Sequence, residues 1–297
     1  MSSEYWEKRQ REWIEKQAKN DADFKKKISK YYDDATLKAQ QDINDFYMRF
    51  AKKENITMAE ARKRVKEFDV KGFEKRAKEM VKNQDFSDEA NERLRIYNAT
   101  MRINRLEMLK SKLAMDYLEA NNKLDNEMKK QFTDYLTGEA KHQAGILGKT
   151  IPDDLTKRIE QLVNASYKGA TFSERLWASQ DQLKGELDYI LTRGLIMGQN
   201  PRQLASRLKP LINDAVNNKK YVADRIAVTE SARMAHECRT KLYKENDVKE
   251  VKWIAETTAC KICLPRDNKV YKLGEEPDIP AHPYCRCNVI PNYEEVE

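Results

Sequence analysis

Five soft metal ligands fall within 28 residues near the end of the sequence: Cys260-Lys261-Ile262-Cys263 and, eighteen residues later, His282-Pro283-Tyr284-Cys285-Arg286-Cys287. Two ligands placed in one turn converge on the same side of the backbone, and two such corners provide the four N or S donors that a tetrahedral Zn²⁺ takes. Cys260 and Cys263 supply one corner. His282 with Cys285, or Cys285 with Cys287, supplies the other, so four of the five suffice. Two disulfides, or reduced thiols in a small core, account for the same clustering and stay open on sequence alone. A structural zinc is the chemistry we expect, because a module of about 50 residues with few large apolar side chains gains little from its own core. A catalytic zinc would need an open coordination position and an acid or base beside it, and the sequence has no H-E-x-x-H or H-x-E pattern.

The elements that must position this cluster follow from glycine and proline, whose distribution is uneven. Gly72 is the sole glycine before Gly138, the first proline is Pro152, and five of the eight prolines lie in the last 38 residues. The fold class expected is mainly α. A long amino-terminal helical arm (1–149) precedes a helical middle region and a small α+β Cys/His module at 246–297, the last two forming one domain at 150–297. In the arm, Phe24, Ile28, Tyr31, Ala35, Ala39, Ile43, Phe46 and Phe50 recur at steps of three or four, one face of a long helix. Thr57 and Glu60, in T-x-x-E spacing, open a second helix over Met58, Ala61, Val65 and Phe68. After Ser87 a third long helix carries Ile96, Ile103, Leu106, Leu109, Leu113 and Tyr117, and the glycines from Gly138 to Gly148 mark its boundary, with His142 facing solvent at the linker. Trp177, Leu176, Leu183, Leu187, Ile190 and Leu191 form a core stripe, and Cys238 and His236 read as a buried thiol and a hydrogen-bonded imidazole. Asn200-Pro201 caps a further helix, with Gly194 and Gly198 bracketing the end of the one before. Past residue 245, Val248, Val251, Trp253 and Ile254 predict short strands.

The 297 residues carry a net charge of +7, and 35% of them are charged. No apolar run reaches the ~18 residues of a membrane span, so no membrane partner is expected. The first residues show no export signal and neither end a lipidation motif. Residues 251–297 hold six Lys or Arg against eight Asp or Glu, which argues against a zinc-module DNA reader there. An HNH-like nuclease, the enzyme alternative, needs histidines to activate water and hold a divalent ion, and the chain has three in all. G-x-S-x-G and G-x-x-x-x-G-K are both absent.

Three ordered stretches resemble the phage head-morphogenesis family, the minor head (minor capsid) proteins similar to protein F of phage Mu. These are the Cys260/Cys263 pair with His282-Pro283-x-Cys285-Arg286-Cys287; the helix Arg225-Ile226-Ala227-Val228-Thr229-Glu230-Ser231-Ala232-Arg233; and Phe172 to Trp177 followed by Gly194 to Gly198. Tyr5-Trp6-Glu7-Lys8-Arg9, Tyr31-Tyr32 and Phe46-Tyr47 are similar to the helical arm of minor head proteins from phages of Gram-positive bacteria. Val228 stands where the family often has a polar or basic residue. Ten residues follow Cys287, so no appended effector domain is expected. The resemblance implies a non-enzymatic structural protein of the virion, made in the host cytoplasm and placed in the head interior or at the portal vertex. It implies a role in procapsid assembly and in DNA packaging or ejection. The partners it implies are the portal protein, scaffold or major capsid protein, and packaged DNA contacted non-specifically. Arg225, Thr229, Glu230 and Arg233 are expected to form a structural hydrogen-bond and ion-pair set.

Overall fold

Apolar residues at steps of three and four along charge-rich segments make helices, and five helices dominate the residues described in the computed structural model, 3–50, 88–196 and 201–292. They are α1 (Ser3–Phe50), α2 (Asp88–Leu147), α3 (Leu155–Val163), α4 (Phe172–Ile196) and α5 (Pro201–Glu245). Side chains are described at 4–43, 109–110, 112–193 and 208–292. The helix expected from Thr57 to Phe68, the Asn200 cap, and the side chains of Phe46, Phe50, Ile96, Ile103 and Leu106 lie outside the described residues.

The chain divides into two units. The first gathers α1 through Tyr31, the chain from Asn121 to Ser179, and the chain from Lys220 onward. Its α1 stripe buries Trp6, Ile14, Phe24 and Ile28. On α2, Leu124, Met128, Phe132, Leu136 and Ala140 are buried at four-residue steps, and Phe132 meets Phe172 of α4 edge to face at 4.9 Å. Thr171 and Glu174 close a reciprocal capping box at the start of α4: the Thr171 N–H donates to Glu174 Oε2 at 2.7 Å and the Glu174 N–H to Thr171 Oγ1 at 3.1 Å. A fully buried ion pair, Arg239 Nε to Glu139 Oε1 at 2.6 Å, ties α5 to α2. Trp13 Nε1 donates to the other Glu139 oxygen at 2.6 Å, and Tyr243 Oη donates to Gln143 at 2.5 Å.

The second unit consists of α1 from Tyr32, α2 up to Ala120 and Gln180–Lys219. Ala35, Ala39 and Ile43 of α1, Leu109, Leu113 and Tyr117 of α2, and Leu183, Leu187 and Leu191 of α4 are buried. Ile190 is half-buried beside this stripe; Leu176, buried, and Trp177, half-buried, belong to the α4 segment of the first unit. Tyr32, not Tyr31, occupies the α1 stripe: it is fully buried, one turn beyond Ile28, and Tyr31 stays half-buried. At 3.6 residues per turn both steps were open; one turn beyond Tyr32, the buried Thr36 hydroxyl meets Tyr117 Oη at 3.0 Å.

Two expectations about glycine and histidine are refined. α2 runs through Gly138 and Gly145 and ends at Leu147, with Gly148 at φ 63°, the left-handed conformation that terminates helices. His142 is therefore inside a helix, and the solvent-facing expectation is corrected. Its ring stacks on Trp13 at 4.7 Å and its Nε2 lies 3.0 Å from Gln10 Oε1. Gly138 leaves the room Trp13 needs, since a Cβ there would sit 3.1 Å from the indole edge.

The carboxy-terminal module is a three-stranded antiparallel sheet in the order β2-β1-β3, with β1 at Glu250–Ile254, β2 at Val270–Lys272 and β3 at Asn288–Pro291. Lys252 pairs with Val270 on one side of β1, and Ile254 with Asn288 on the other. Trp253 and Val289 are fully buried in a core shared with Tyr243, Val251 and three of the cysteines.

Candidate metal centre

Sheet register brings the two cysteine corners together. β1 ends at Ile254 and leads into the first corner, while β3 begins at Asn288 immediately after the second. Because Ile254 and Asn288 are partners, both corners stand at the same end of the sheet. The first is a tight turn in which the N–H groups of Cys263 and Leu264 donate to the Cys260 carbonyl at 3.0 and 2.9 Å. In the second, the Cys285 N–H donates to the His282 carbonyl at 3.2 Å.

The five ligands form two triads that share Cys263: Cys260, Cys263 and His282, and Cys263, Cys285 and Cys287, with ligating atoms within 4.8 Å of one another in each. His282 Nε2 lies 3.1 Å from Cys260 Sγ and 3.3 Å from Cys263 Sγ, and Cys263 Sγ lies 3.8 Å from Cys285 Sγ. Zn–S bonds of about 2.3 Å in a tetrahedron require S···S edges of about 3.8 Å, so the Cys263–Cys285 spacing is that of a metal edge. It is also far beyond the ~2.05 Å of a disulfide, and all five cysteines are free thiols. His282 Nδ1 is 2.8 Å from the Pro283 carbonyl, which holds the proton on that nitrogen and turns the Nε2 lone pair toward the sulfurs. The donor set and its spacing fit a bound transition metal.

The environment separates the thiols. Hydrogen bonding from Cys287 is the main reason the Cys285 thiol is pulled down to about 5, and the same bond holds the Cys287 proton on its sulfur. Burial pushes Cys263 up to about 12. The Ile262 and Cys263 N–H groups favour the Cys260 thiolate. Burial of the His282 ring opposes its charge, yet the Pro283 carbonyl and the neighbouring sulfurs outweigh that and raise it. Cys263, Cys285 and Cys287 are buried, and Cys260 and His282 half-buried.

α5 supports the second corner. Tyr284 sits at φ 65°, and its N–H donates to Thr229 Oγ1 at 3.2 Å while its hydroxyl donates to Asp224 at 3.0 Å. Glu230, one residue on, accepts from Arg175 at 2.6 Å and from Arg233 at 2.7 Å, and Arg233 donates to Glu237 at 2.7 Å. Arg225 stands apart, over the Tyr221 ring at 5.9 Å. Sequence reasoning missed Tyr284, Asp224 and Arg175. Tyr284 lies inside the motif already noted, but its partners are 55 to 63 residues away, beyond any local spacing rule. His236 lies 3.5 Å from Glu276, outside the cluster.

Residues 186–290, which contain the Thr229 helix and both corners, match the family model described as Phage Mu protein F like protein. No curated protein and no solved structure matches the chain.

Proposed function

From the match of residues 186–290 to the Phage Mu protein F like family model, we propose that this chain is a minor head protein that acts at the portal vertex in procapsid assembly and in genome packaging or delivery. The family match supports head morphogenesis; the portal, with scaffold or major capsid protein and non-specifically held DNA as further partners, is our reading. The same reading places the protein in the virion after synthesis in the host cytoplasm. Long helices with charged outer faces suit docking on such partners, and among the described residues no helix is long and apolar enough to cross a membrane.

Within this reading Cys260, Cys263, His282 and Cys285 hold one structural Zn²⁺, with the Cys287 sulfur within 4.8 Å of Cys263 and Cys285. The observation that carries it is the 3.8 Å Cys263–Cys285 edge beside a His282 ring whose Nδ1 is already engaged. When bound, the ion cross-links the two corners at the end of the sheet. A structural role, not catalysis, is supported by the buried sulfurs and by the lack of a carboxylate in either triad.

Co-expression with the cognate portal protein, followed by light scattering of the purified material, tests the assembly role. We expect a complex of defined stoichiometry; two independent species at micromolar concentration would overturn it.

A further inference from the structure

One face of α1 grips the Cys/His module. Glu7 accepts from Lys252 at 2.5 Å. Arg11 donates to both carboxylate oxygens of Asp267 at 3.1 and 3.2 Å and to the Ala255 carbonyl at 3.1 Å. Ile14 packs with Ile254 and Ile290, and Asp21 accepts from Arg286 Nε at 2.7 Å. Steps of four, three and seven residues keep these four side chains on one helical face.

The module's side of this contact is built from the loops that carry the metal ligands. Arg286 stands between Cys285 and Cys287, and its N–H reaches Glu256 at 3.4 Å. Asp267, four residues after Cys263, also accepts the Ala255 N–H at 2.7 Å. Asp21 is largely buried, its side chain 12% exposed. An acid so placed is tolerated while its guanidinium partner stays, and removing that partner leaves an uncompensated buried charge. The helix face then gains by withdrawing to water.

We propose that metal loading of the Cys/His module latches the amino-terminal helix: with the ion in place Arg286 and Asp267 are fixed and hold Glu7–Asp21, and without it this stretch is released. The latch rests on the zinc reading above. It would make the arm available to a partner before the module takes up its ion, and it is reciprocal, because a docked arm must strengthen metal binding by the factor by which metal strengthens docking.

Hydrogen exchange with mass-spectrometric readout on the full chain, zinc-loaded and chelator-stripped, tests this alongside metal content by native mass spectrometry. We expect exchange across residues 7–21 to accelerate at least about ten-fold on stripping, while Leu124–Leu136 of α2 keeps its protection. Asp21→Ala in the loaded protein should free the same stretch and speed zinc transfer to a chromogenic chelator about five-fold or more. If stripping loosens 256–287 and leaves 7–21 protected, the latch is wrong and the zinc reading stands. A protein that binds no zinc overturns both. Equal loss of protection in Leu124–Leu136 also overturns the latch, because the arm is then not released separately.

Discussion

Cys285 and Cys287 are two residues apart, both fully buried, and differ in what their sulfurs do. The 3.8 Å edge to Cys263 belongs to Cys285, while Cys287 Sγ lies only within 4.8 Å of both. Cys285→Ala should therefore abolish zinc retention, whereas Cys287→Ala should keep about one ion per chain with a faster off-rate; native mass spectrometry of the two variants reads this directly. The reverse pattern would make Cys287 the fourth ligand. Thr229 offers a second residue-scale check. Thr229→Val removes the acceptor of the Tyr284 N–H, and the unmet donor costs about 1–2 kcal/mol in the loop that carries His282 and Cys285. Chelator extraction of zinc should be several-fold faster in that variant, and an unchanged rate would show that the helix does not support the corner. The spacing of the two corners was legible in the sequence because it is local. The Thr229 contact was not, because it joins a helix to a turn through a fold that local patterns do not encode.

Helices in this chain are anchored to one another by buried polar groups as well as by apolar stripes. Arg239 and Glu139 have fully buried side chains, and the pull of Arg239 keeps the Glu139 carboxyl below its usual range although burial alone would raise it. Breaking such a pair by removing one partner costs about 3–5 kcal/mol, while replacing both with apolar residues of similar volume recovers most of that. Glu139→Leu should thus lower stability severely in denaturant titration and Glu139→Leu with Arg239→Met far less; equal losses would mean that packing, not charge, carries the junction. Periodicity made the α1 and α2 stripes legible, from Phe24 to Ile43 and from Leu109 to Tyr117. It could not choose between Tyr31 and Tyr32, which differ by one step on the helix. It also gave no hint of a pair separated by 100 residues. His142 was misjudged because a glycine-rich stretch suggests a linker, whereas Gly138 is there so that Trp13 can approach α2 closely.

At the scale of the whole molecule, two histidines outside the metal centre set an acid limit. Burial presses both His142 and His236 down to about 4 from 6.5. In the unfolded chain these rings take up protons near pH 6.5, in the folded one near pH 4, so their contribution is complete above pH 6.5 and is lost as pH falls toward 4. Each ring accounts for on the order of 3 kcal/mol. Urea titrations at pH 7, 5.5 and 4.5 should show this decline, and His142→Gln should flatten it; an identical slope in that variant would remove His142 from the account. The mainly helical class and the small terminal module were legible from composition, since prolines and cysteines concentrate after residue 259. How α1 threads into the first unit beside a module more than 200 residues away was not, because charged residues at helical spacing look alike whether they face water or a partner.

Zinc content tests the central claim most directly. Native mass spectrometry of the purified, reduced full chain should find one zinc ion per protein, and stripping it should cost the three-stranded sheet its hydrogen-exchange protection. A metal-free protein whose β1–β3 sheet is fully protected would contradict the account.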